Sequence, residues 1–303
     1  MKATRDGFGE QLVLSAKDNE RIVGLSADLG KATRINHFAD SYPDRFFEIG
    51  IAENNMIGIA SGLSECGYKV FLASFASFIT GKYDTIRCSI AYSNAPCVIV
   101  GTHSGMAIGR DGVTQMGLED LSLMRALPGM VVLNPSTYNQ TKAVVKYLCE
   151  NELMAPHYLR LGRQLVAEVY PEGTSFDPSC AVVHKTGSLG SVYSTGCVLQ
   201  SVLEAVKDLD ISVIDVPTIK PLDTATIIEQ AGPLVVTIED HSIIGGLGSA
   251  VAEVIAEEGL SSRLCRIGLN DTFPESGKPD DLYEKYGLSV QGIKQRILNE
   301  LDK

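Results

Sequence analysis

Short apolar runs alternate along the chain with longer stretches in which apolar residues recur at helical spacing. "RIVGLSADL" predicts a strand ending near Ser26, and "CVIVGT" (97–102), "MVVLNP" (130–135) and "HYLRLG" (157–162) predict three more. "FFEIG" reads as a buried strand that turns at Gly50. Helical spacing covers 53–66, 79–92, 118–126 and 137–150, with Ser136 placed after Pro135 to cap the last of these. Between about 166 and 182 the periodicity lapses and two prolines appear, as in a linker. A second alternating set follows: "GSVYST", a helix at 197–207, "ISVIDV", a helix at 223–230, "LVVTIED" and a helix at 249–258. Strands alternating with helices predict mostly parallel sheets covered by helices. We therefore expect an α/β fold of two tandem domains, 1–168 and 183–303, joined by 169–182.

Composition narrows the classes. The chain has 303 residues and a net charge of −11, with no basic stripe. Nucleic-acid binding and docking on anionic membranes both need clustered Lys and Arg, so neither is expected. Met1 leads into "KATRDGFGEQ", which has no apolar segment of signal-peptide type, and no apolar run reaches membrane-spanning length. Seven cysteines are scattered without a CxxC pair, which suits free thiols in a reducing, cytoplasmic setting.

Candidate chemistry begins at "IAENNM". Glu53 stands at the start of a strongly apolar helix, where an acid can simply complement the helix dipole. Its neighbours add to it. Phe75 and Phe78 follow in "FASF", and "THSGMAIGRDGVTQMGLED" comes directly after a predicted strand. A polar, glycine-rich loop at the carboxyl end of a parallel strand is where open α/β sheets bind ligands. Singly, His103 reads as structural, the two phenylalanines as core, and Asp111 in "GRDG" as a turn former.

In this order the segments resemble the C-terminal half of a transketolase, nearly end to end from "ATRDGFG" to "GKPDDLYEKYG", with "TIKPLD" and "TIEDHSIIGGLGSAVAE" similar to that family's C-terminal domain. The resemblance implies a thiamine-diphosphate-binding fold of the pyrimidine type, followed by the family's smaller α/β domain. It implies that Glu53 is the carboxyl group that hydrogen-bonds the aminopyrimidine ring of thiamine diphosphate. A carboxyl in a water-poor site can share a proton in this way. By the same matches Phe75 stacks on that ring with Phe78 nearby, and Asp28 and Gln115 lie against the cofactor. His103 faces the sugar hydroxyls, Asp111 binds a hydroxyl, and Arg5 and Arg163 clamp a distal phosphate, a task that suits the planar guanidinium fork.

Three positions depart from the resemblance. Gln115 stands where many transketolases have histidine. Ala32 stands where a phosphate-binding serine is common, with Thr33 beside it as a substitute. Arg110 precedes Asp111 where an acid is expected, and an added cation there favours a more anionic or differently shaped substrate, for example a sulfonated or unusual phosphorylated sugar. The chain also lacks the GDG segment of the family's diphosphate-binding domain. We therefore expect a split enzyme, in which an N-terminal transketolase subunit holds the diphosphate and Mg²⁺ (or Ca²⁺), in an α2β2 heterotetramer. The expected reaction is transfer of a two-carbon ketol unit from a ketose to an aldose phosphate. Alternatives on the same fold are a 1-deoxyxylulose-5-phosphate synthase or the β subunit of a 2-oxoacid dehydrogenase. A non-catalytic regulatory subunit is an alternative of another class. The glycines of "IIGGLGSAV" lack the spacing of a dinucleotide fingerprint. His241 reads as a hydrogen-bonded structural residue.

Overall fold

The computed structural model describes residues 1–303. Twelve strands form two sheets. The first seven strands in the chain, after an opening helix Thr4–Ala16, are β1 (Ile22–Ser26), β2 (Phe46–Glu48), β3 (Lys69–Phe75), β4 (Val98–Thr102), β5 (Val131–Leu133), β6 (His157–Arg160) and β7 (Val182–Lys185). They are followed by β8 (Ser191–Thr195), β9 (Ser212–Asp215), β10 (Thr218–Lys220), β11 (Leu234–Ser242) and β12 (Arg263–Leu269). The larger sheet runs β10-β5-β6-β4-β3-β1-β2 and is parallel except for β10. The smaller runs β12-β11-β8-β9-β7 and is parallel except for β7. The α/β reading of two mostly parallel sheets thus describes the chain.

Central strands are buried along their whole length because helices cover both of their faces. Every residue of β1, β4, β6, β8 and β9 is buried. Helix Glu53–Glu65 inserts Met56, Ile57 and Ala60 under the sheet, and Met56 and Ile57 each contribute roughly 1.5–3 kcal/mol by burial. Helix Tyr138–Glu150 packs against the opening helix.

Several details correct the sequence reading. The "FFE" strand is not buried: β2 is the edge of its sheet, and Phe47 is 44% exposed. The cap of helix Tyr138–Glu150 is Thr137, whose side chain accepts from Gln140 N. Ser136 instead donates to the side chains of Gln140 and Asp215. The helix expected at 79–92 is broken into Ala76–Thr80 and Tyr83–Ile86, and ends in a wide turn over Arg87–Ala91. The tandem picture is also incomplete, since β10 leaves the second half of the chain to pair antiparallel with β5.

Candidate active site

The expected site residues collect along one end of the larger sheet, just past the carboxyl ends of its parallel strands. β1 leads to Asp28, β2 to Glu53, β3 to Phe75 and Phe78, β4 to His103, and β6 to Arg163. Adjacent strands in register bring these ends together: Ser26 pairs with Ala73, Phe75 with Thr102, and Gly101 with Arg160.

Glu53 opens its helix and is only 9% exposed. Its one side-chain partner is Ser74 Oγ, at a long 3.5 Å. The carboxylate borders a cleft of about 430 Å³ lined also by Asp28, Ile51, Ser77, Phe78 and Lys82. Ser77 Oγ is buried there without a hydrogen-bond partner. Three rings form the adjoining wall. Phe75 stacks on Phe78 at 5.3 Å and on the His103 imidazole at 3.8 Å between ring centres. Phe78, rather than Phe75, faces the cleft. Asp28 is exposed and left-handed at φ 60°, held by its own N–H donating to Glu48 Oε1 at 2.6 Å. Gln115 ends a short turn, Val113–Gln115, that packs on helix Ala76–Thr80.

Beside this wall is a cluster of cations. Arg5 Nη1 donates to Ala32 O at 2.8 Å and lies 2.9 Å from His103 Nε2. The N-terminal segment is fixed there because Thr4 Oγ1 accepts from Gly162 N at 2.8 Å, which also brings Arg5 toward Arg163. Arg5 Nε is buried and has no partner. Burial, then the Arg5, Arg163 and Arg34 charges, push the His103 imidazole down to about 3. Burial, then Arg34, lowers Arg5 as well. Arg163 reaches Ile108 O and Asp111 Oδ2, both at 3.5 Å. Arg110 is exposed on the same loop, Met106–Asp111.

Thr33 does not substitute for a serine at position 32. Its hydroxyl is buried and donates back to Leu29 O at 3.0 Å within its own turn. Sequence reasoning missed Arg34, whose charge bears on both Arg5 and His103 and whose Nε pairs with Asp6 at 2.7 Å. It also missed Ser77 and Lys82 in the cleft wall. Arg34 lies in "ATR" and Lys82 in "GK", where nothing in the spacing marks them, whereas Ser77 lies inside "FASF" between the two phenylalanines.

A buried network joins the second sheet to the first. Asp120 Oδ2 accepts from Arg160 Nε at 2.9 Å and from Tyr158 Oη at 2.7 Å. His241 Nε2 accepts from Leu121 N at 3.2 Å, and burial pushes this histidine down to about 4. The N-terminus of helix Leu247–Glu257 is already filled, because Glu239 accepts from Leu247 N and Gly248 N, both at 2.8 Å. An internal carboxylate therefore occupies the place a nucleotide phosphate would need. No helix is long and apolar enough to cross a membrane.

Comparison with known proteins agrees with this geometry. The profile of the transketolase pyrimidine binding domain matches residues 1–168, and that of the transketolase C-terminal domain matches 181–293. The chain is 41% identical to a transketolase C-terminal section of Methanocaldococcus jannaschii, over 100% of this chain and 97% of that protein. It is 34% identical to a 6-deoxy-6-sulfo-D-fructose transketolase subunit of Clostridium sp. strain MSTE9, over 95% of this chain and 91% of the other. A solved "split gene transketolase, inactive beta4 tetramer" superposes with a TM-score of 0.91 at 40% identity, covering 100% of this chain and 99% of that one. The 1-deoxy-D-xylulose-5-phosphate synthases it also matches are about twice as long, and the chain covers 47% of the one from Stutzerimonas stutzeri. A buried glutamate over an aromatic-walled cleft, on a chain matched by both profiles, places the protein in the transketolase family, of which it carries the pyrimidine-binding and C-terminal domains.

Proposed function

We propose that this chain is the C-terminal subunit of a split transketolase, and that it transfers a two-carbon ketol unit from an anionic ketose to an aldose phosphate. The observation that carries this reading is Glu53: a nearly buried carboxylate, weakly satisfied within the chain, facing a cleft with an aromatic wall. The family depends on thiamine diphosphate. The residues present fit its aminopyrimidine, which would take a carboxyl partner from Glu53, a hydroxyl from Ser77 and a ring contact from Phe78. When bound, the cofactor supplies the electron sink for carbon–carbon cleavage.

The chain's own groups would do the rest. Glu53 would hydrogen-bond the ring nitrogen of the bound aminopyrimidine through its carboxyl group. His103, neutral, carries its proton on Nδ1 toward Thr102 Oγ1 at 2.9 Å, so the ring can accept from a sugar hydroxyl at Nε2 when Arg5 turns to an anion. Arg5, Arg34 and Arg163 form a cationic wall suited to a phosphate or sulfonate. Asp111, exposed on the loop, is placed to accept from a hydroxyl.

An N-terminal subunit holding the diphosphate and Mg²⁺ is part of this reading, in an α2β2 assembly. It is supported by the relative described as a C-terminal section and by the split-gene neighbour. Ile51, 83% exposed at the cleft, offers an apolar contact for that subunit. The test is co-expression with an N-terminal transketolase subunit, followed by thiamine-dependent transfer from xylulose 5-phosphate to ribose 5-phosphate. Activity only with both chains supports the reading. Full activity from this chain alone overturns the split. Acceptance of pyruvate as donor in place of a ketose favours the deoxyxylulose-phosphate synthase alternative.

A further inference from the structure

The glycine-rich loop Met106–Asp111 belongs to the first half of the chain, yet much of its anchoring comes from the second. Met106 N donates to Asp240 Oδ1 at 3.1 Å and Oδ2 at 3.2 Å. Tyr283 donates its hydroxyl to Asp240 Oδ2 at 2.5 Å, and Gln164 Nε2 donates to Tyr283 Oη at 3.2 Å. Gln164 adjoins Arg163, which touches the loop at Ile108 O and Asp111. Further along, Gly277 N donates to Gly109 O at 3.5 Å. The backbone at Asp240 is fixed in turn by Arg160 Nη2, which donates to Asp240 O at 2.9 Å and to Gly117 O at 3.0 Å. The fit is close. Gly105 is left-handed at φ 74°, and a Cβ there would lie 1.9 Å from Asp240 Oδ2.

We propose that Asp240 and Tyr283 are positioning residues for the sugar site: they set the loop between His103 and Asp111 and, through Gln164, the segment that carries Arg163. The proposal rests on the reading above that these three residues face the sugar. Its physical basis is convergence. Asp240 is 4% exposed, and its carboxylate gathers donors from the loop and from helix Pro279–Lys285. In a low-dielectric interior each of those bonds is strong, and losing one leaves a buried acceptor unsatisfied. The loop therefore has one favoured position only while the second half of the chain holds it. That gives this half a task in substrate recognition although none of its side chains reaches the cleft.

The test uses the full chain carrying Tyr283→Phe, which removes the hydroxyl and keeps the ring, and separately Gln164→Leu. Amide hydrogen exchange is measured on the chain, and steady-state kinetics on the complex with an N-terminal subunit. We expect exchange at residues 105–112 to rise about tenfold, the scale of one hydrogen bond to a charged group, with β11 unchanged. In the complex, KM for the ketose should rise by a similar factor while kcat and thiamine diphosphate affinity hold. Gln164→Leu should show the KM effect with the smaller change in exchange. Loop exchange that stays the same, or that rises equally throughout the second sheet, overturns the proposal, as does an unchanged KM beside a loosened loop. A complex inactive even without substitution refutes the transferase reading alone, and the exchange result still decides whether the clamp exists.

Discussion

Arg5 Nη1 sits 2.9 Å from His103 Nε2. A guanidinium can only donate, so the imidazole accepts there and keeps its proton on Nδ1, which donates to Thr102 Oγ1. The ring is therefore neutral in the folded chain. Unfolded, it takes up a proton near 6.5; folded, only near 3. Between those values the unfolded chain binds the extra proton, so this histidine lowers folded-state stability as pH falls below 6.5 and costs nothing above it. His103→Gln should flatten the loss of stability between pH 6.5 and 5, measured by urea unfolding. Ring resonances of His103 should stay those of the neutral Nδ1–H form from pH 8 to 5. A midpoint near 6.5 in the folded chain would contradict the burial argument.

Glu53→Gln keeps the volume and removes the acid. Proton transfer by a positioned side chain is worth about 10²–10⁴ in rate, and kcat of the assembled enzyme should drop on that scale. Thermal unfolding of the chain should change little, because Glu53 has only the long contact to Ser74 to lose. Retained activity would favour the non-catalytic alternative.

Arg5→Ala and Arg163→Ala each remove a cation from the wall around His103. A hydrogen bond to a charged group contributes about 1.5–3 kcal/mol, so KM for a phosphorylated ketose should rise roughly ten- to a hundredfold by that scale. An unphosphorylated ketose should be nearly indifferent. Equal losses for both sugars would place the two arginines away from the distal anion.

Arg110 is exposed, with no ion pair of its own. If it selects a more anionic sugar, Arg110→Glu should lower kcat/KM more for a phosphorylated ketose, with close to two negative charges, than for a sulfonated one with a single charge, and high salt should shrink the difference. An unchanged preference would remove this role.

Asp120 and Arg160 are paired with side chains 0% and 4% exposed. Leaving one buried charge without the other costs about 3–5 kcal/mol. Asp120→Ala should lose stability on that scale in chemical denaturation, because Arg160 then faces only backbone carbonyls. A loss under about 1 kcal/mol, the range of surface pairs, would mean that water replaces the carboxylate.

The sequence by itself determined the α/β class, most central strands and which residue types gather around the candidate cleft. Where a buried parallel strand is a continuous apolar run, the polar loop that follows it stands out, as "THSG" does after "CVIVGT". What it could not show were features set by distant contacts. The opening helix carries Gly7 and Gly9, poor helix formers, because a Cβ at either would lie within 2.7 Å of another backbone carbonyl, Tyr138 O or Arg34 O. β2 is apolar in sequence but sits on a sheet edge. β10 joins the other half's sheet, a pairing across more than eighty residues that no local pattern encodes. The same holds at the site. Glu53, His103 and Arg163 were legible as residues, but the burial that makes His103 neutral, the inward turn of Thr33, and the approach of Arg34, Asp240 and Tyr283 arise only when strand ends and the two sheets are packed together. Side-chain environment is a property of neighbours far apart in the chain, and tertiary structure alone supplies those neighbours.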